Sequence, residues 1–86
     1  MSTTDAQLTH LKSIISDLKL RLQSGTLARG TMVHGYMVEK VEHEGRILRS
    51  IFMAPADDSG LTSSLTVKFC RRGESFLLES FEFIDP

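Results

Sequence analysis

EKVEHEGRILRSIFM, residues 39–53, holds a charge-rich segment, a glycine turn and an apolar segment with Arg49 in its middle. Read as a β-hairpin, its register decides which side chains face inward. A three-residue loop His43-Glu44-Gly45, with Gly45 at positive φ, sets Val41 opposite Ile47, Glu39 opposite Arg49 and Met37 opposite Ile51. It also sets Glu42 opposite Arg46, so both arginines gain a facing carboxylate. A two-residue loop Glu44-Gly45 would set Lys40 against Arg49, and like charges directly opposite are destabilising. The charges select the first register and make Glu39–Arg49 the expected structural pair. Anion binding is the functional alternative for Arg49.

The chain around this hairpin divides into one helical and several strand-like stretches. Residues 5–24 place Leu8, Leu11, Ile15, Leu18 and Leu22 on one face at helical spacing, with Ile14 widening the stripe. Thr4 and Gln7 have capping-box spacing, and Gly25 suits a left-handed C-terminal cap. From Thr31 onward the period is two. Strands are expected over about 31–42, 46–54, 61–72 and 74–84, the clearest alternating Leu65, Val67 and Phe69 with Thr66, Lys68 and Cys70. The segments GTLARG, HEG, PADDSG and RG between them carry turn chemistry. The echoes GRILRSIF and GESFLLESF each follow a hairpin glycine and suit two returning strands. The fold class is therefore α+β: residues 1–86 as a single domain, an N-terminal helix packed on a four-stranded antiparallel sheet of two hairpins.

Which face the helix covers follows from the second hairpin. An Arg72-Gly73 loop sets Phe69 opposite Phe76 and Val67 opposite Leu78 on the core face. Leu77, Phe81 and Phe83 then stand on the other face, where the first hairpin's register also puts Ile47, Ile51 and Met53. One helix cannot cover both faces of such a sheet. These six residues form the candidate partner-binding surface, since contiguous exposed apolar patches mark association sites. A β-bulge near Glu39 or Leu78 would redistribute them.

Charge and composition narrow the function. With 86 residues, 24% charged and a net charge of −1, the chain has ordinary globular values and no overall basic character that would recruit nucleic acid. Its one cysteine, Cys70, cannot form an internal disulfide, which favours a reducing compartment. No apolar run is long enough to span a membrane, and MSTTDAQLTHLKS lacks the layout of a secretory signal. A cytoplasmic protein is expected. His10, His34 and His43 have no metal-ligand spacing, and GTLARG carries no nucleotide-binding fingerprint. No catalytic constellation or cofactor motif is found, so the expected activity is not enzymatic.

The expectation is a small protein–protein interaction protein of adaptor, chaperone or inhibitor type. Its partner would be a second copy, forming a homodimer through the outer sheet face, or another protein. One alternative is a single-stranded nucleic-acid-binding sheet, with Arg46, Lys68, Arg71 and Arg72 beside Tyr36 and the phenylalanines. Another is a small apolar ligand held between helix and sheet.

Overall fold

A computed structural model describes residues 4–57 and 60–84, with side chains from residue 9 onward. The proposed Thr4–Gln7 capping box and the side chain of Leu8 lie outside the described side chains. Helix α1 spans Thr4–Ser24. Its end is closed by two hydrogen bonds: Thr26 N–H donates to the Arg21 carbonyl at 2.9 Å and Gly25 N–H to the Leu22 carbonyl at 3.2 Å. This is a Schellman cap, with Gly25 at φ 75° where the periodicity placed the stop.

Five strands follow, β1 Met32–Val33, β2 Tyr36–Glu44, β3 Leu48–Pro55, β4 Ser64–Arg72 and β5 Ser75–Ile84. They form one antiparallel sheet in chain order. The α+β architecture agrees with the sequence reading, but there are five strands where four are expected. The segment read as one strand from residue 31 is broken at His34-Gly35, whose φ angles are 47° and 93°. Val33 pairs with Tyr36 across this two-residue turn. Positive φ at both central positions is what a type I′ hairpin requires, and glycine takes the second without strain.

The first hairpin corrects the expected register. Glu44 pairs with Leu48, His43 with Arg49, Glu42 with Ser50 and Val41 with Ile51. The loop is Gly45-Arg46-Ile47, two residues later than expected. Gly45 does have a positive φ, 69°, but it opens the loop rather than closing it. The Glu39–Arg49 pair does not form. Arg49 faces His43, and Glu39 has no partner because the register slips between Val38 and Lys40.

That slip has a physical cause. Continued without interruption from Val41↔Ile51, the ladder would bring Glu39 opposite Met53, on the face that carries the core. The bulge ejects the carboxylate and places Val38 there instead, paired with Met53. The same event recurs in β5. Phe69 pairs with Leu78 and Lys68 with Ser80, leaving Glu79 as the extra residue. Without it Glu82 would fall opposite Leu65; with it Phe83 does.

The core lies between α1 and one face of the sheet. Leu11, Ile14 and Leu18 of the helix pack against Val38, Ile51, Met53, Leu65, Val67 and Phe69, with Val33, Tyr36 and Phe76 completing the buried set. Among the elements in close backbone contact with α1 are both edge strands, β1 and β5, so the sheet curls around the helix.

Candidate functional site

The six residues expected on the outer face separate in the fold. Ile51 and Met53 are fully buried, both 0% exposed, under the helix. This overturns their place in a partner surface: the face that they share with Val41 is the one α1 covers. Ile47 is exposed, in the β2–β3 loop. Leu77, Phe81 and Phe83 are exposed on β5. Phe81 and Phe83 stand on the helix side of the sheet, because the Glu79 bulge pairs them with Val67 and Leu65. Leu77 faces outward with Cys70.

The outer face itself is mixed. Across the strands run Lys40, Phe52, Thr66 and Glu82 in one row, and Glu42, Ser50, Lys68 and Ser80 in the next. Lys40 and Glu42 form an ion pair at 3.1 Å. Tyr36 is buried on the opposite face, so it is no stacking platform beside Lys68. Arg71 pairs with Phe76 on the helix side, which separates the cations proposed for a nucleic-acid sheet.

What the fold concentrates is apolar surface on β5. Five of the eight exposed large hydrophobic side chains among the described residues belong to this strand: Leu77, Leu78, Phe81, Phe83 and Ile84, each between 41% and 48% exposed. From Leu77 to Ile84 every side chain is exposed. The phenylalanines support each other edge to face, ring centroids 6.3 Å apart. β5 is also the outermost strand, with one side unpaired. Leu78 and Ile84 were not anticipated as part of this surface. Their signal is the change of hydrophobic phase at Glu79, which assigns apolar residues to both faces of one strand.

At the other end of the core, Arg49 lies over Phe76, its guanidinium carbon 5.9 Å from the ring centroid. The fold also brings His10 within 6.2 Å of His34, whose Nε2 is 3.9 Å from Asp17 Oδ2. No group of three or more metal-ligating side chains occurs among the described residues. No helix among them is long and apolar enough to cross a membrane. Comparison with protein-family models, with curated proteins and with solved structures found no match.

Proposed function

We propose that the protein is a small interaction module that associates with a second copy of itself by antiparallel pairing of β5 with β5. The observation that carries this reading is the ten-residue edge strand with apolar side chains on both faces. Exposed edges in soluble proteins are ordinarily blunted by lysine, proline or very short strands. β5 has no lysine and no proline; its protection is a single bulge and the carboxylates of Glu79 and Glu82. The opposite edge is closed by the two-residue strand β1, beyond which β2 presents Lys40, Glu42 and Glu44.

The choice of a second copy rests on complementarity. Phe81 and Phe83 emerge on one face of β5 and Leu77 and Ile84 on the other, so a matching strand needs apolar groups on both of its faces. β5 is the strand in this molecule that offers them. Two-fold pairing also closes on itself, whereas β5 on the charged β2 edge would propagate without end.

Sedimentation equilibrium tests the reading. Leu77→Lys with Phe81→Lys places a cation on each face of the edge, where pairing would take both out of water against apolar side chains of the second copy. The wild type is expected to be a dimer and the double variant a folded monomer with an unchanged circular dichroism spectrum. A wild type that stays monomeric at high concentration refutes the homodimer, and an undiminished dimer in the variant moves the interface away from β5.

A further inference from the structure

The cleft between the end of α1 and the turns of the sheet gathers basic side chains, two of them without a carboxylate partner among the described residues. Its volume is about 460 Å³. Arg21, His43, Arg49 and Arg71 line it, together with a single acid, Glu74. Arg21 is held by Asp17, Nε to Oδ1 3.1 Å. Arg49 and Arg71 have no carboxylate within ion-pair distance among the described residues. Each instead spends one donor on backbone. Arg49 Nη1 donates to the Leu48 carbonyl at 3.1 Å, and Arg71 Nε donates to the Gly73 carbonyl at 3.0 Å.

The register explains why these groups converge. His43 is directly opposite Arg49, and Arg49 is directly opposite Phe69, two residues before Arg71 on the same face. Three basic side chains therefore occupy neighbouring positions on β2, β3 and β4. Arg49 and Arg71 are like charges on adjacent strands, and no carboxylate among the described residues lies within ion-pair distance of either. The apolar part of the lining comes from Leu22 and Leu27 at and after the end of α1 and from Val41 and Phe76 on the sheet. The guanidinium of Arg49 is already oriented by the Phe76 ring.

We infer that this cleft binds a small organic carboxylate, its oxyanion held by Arg49 and Arg71 and its apolar body resting on Leu22, Leu27, Val41 and Phe76. Arginine suits this task because its planar donors match a carboxylate in a two-pronged contact. One acid against two unpaired arginines leaves a small positive excess, which fits a monoanion better than a polyphosphate. The volume is within the range of small-molecule sites, roughly 300–1,000 Å³. A bare inorganic anion would leave the apolar floor unused.

Calorimetric titration of the full chain with 2-naphthoate tests the assignment, with neutral 2-naphthamide and inorganic phosphate as comparison probes. Saturable one-to-one binding of naphthoate is expected, with naphthamide weaker by about tenfold or more, the loss appropriate to a charge-assisted hydrogen bond. Arg71 is exposed, so Arg71→Gln leaves the fold intact and should weaken naphthoate by a similar factor. Backbone amide resonances of Leu27, Val41, His43 and Glu74 should shift on addition of naphthoate. Equal affinity for naphthoate and naphthamide overturns the role of the arginines. Phosphate binding as tight as naphthoate overturns the role of the apolar floor, and shifts confined to other residues overturn the location.

Discussion

Tyr36 is a polar group placed where its charged form is disfavoured. Burial raises its pKa above the ordinary 10.0, because desolvation penalises the phenolate. The sign follows directly. The folded state holds the proton more tightly than the unfolded chain, so the stability this contributes is full below about 10 and is lost as pH rises through the folded value. Tyr36 is the sole tyrosine and the chain has no tryptophan, so phenolate absorbance reports this residue alone. Its titration is expected above that of the urea-unfolded protein, and coincident curves would mean that the phenol is solvated. Gly45 isolates a different residue-scale effect. Its φ is 69°, and a Cβ added there meets nothing within 4 Å. Gly45→Val therefore costs stability through the left-handed backbone alone, about 1–2 kcal/mol, as chemical unfolding would measure. An unchanged unfolding midpoint would show that the loop relaxes to another conformation.

At the scale of elements, the two bulged glutamates account for most of what sequence reading missed. The helix and its glycine stop were legible because the 3.6-residue period runs unbroken through Leu11, Leu18 and Leu22. The strands were legible as elements: β1, β4 and β5 fall within the expected segments, and β2 and β3 overrun theirs by two residues and one. Their faces were not, because a period of two carries no memory across a slip: Tyr36 and Val38 point inward in one phase, Val41 and His43 in the other. The Glu39–Arg49 proposal failed because the loop lies two residues later, which puts His43 opposite Arg49. Charge matching contributes only about 0.2–1 kcal/mol per cross-strand pair, too little to fix a register by itself. The His34-Gly35 turn was hidden inside an otherwise apolar run. A deletion experiment follows from the bulges. Removing Glu39 leaves every pair of the β2–β3 ladder in place, with Val38 next to Lys40, and should change stability by no more than about 1 kcal/mol. Removing Thr66 from regular β4 turns Leu65 outward and Ser64 inward, with an expected loss of about 2–5 kcal/mol. Similar thermal midpoints for the two deletions would deny that Glu39 is a spacer.

Across the whole molecule, one small core must hold an 86-residue chain that has no internal disulfide available. Among the described residues nine of twelve buried apolar side chains come from the sheet and three from the helix, so losing a central one removes a large share of a thin margin. Ile51→Lys, which buries an unpaired cation beneath α1, is therefore expected to abolish folding. Leu77→Lys with Phe81→Lys, on exposed positions, is expected to leave the monomer folded. The contrast matters because both substitutions would disrupt a dimer formed through the surface that sequence alone suggests, and only the second disrupts one formed through β5 without unfolding the chain. The proposed association would feed back on stability. Pairing two β5 edges covers apolar surface that the monomer leaves in water, and a contact made only by folded chains stabilises them by mass action. The wild-type thermal midpoint should therefore rise with protein concentration, while that of the double lysine variant should stay constant. A wild-type midpoint independent of concentration would mean that folding is complete within one chain and that β5 is not paired in solution.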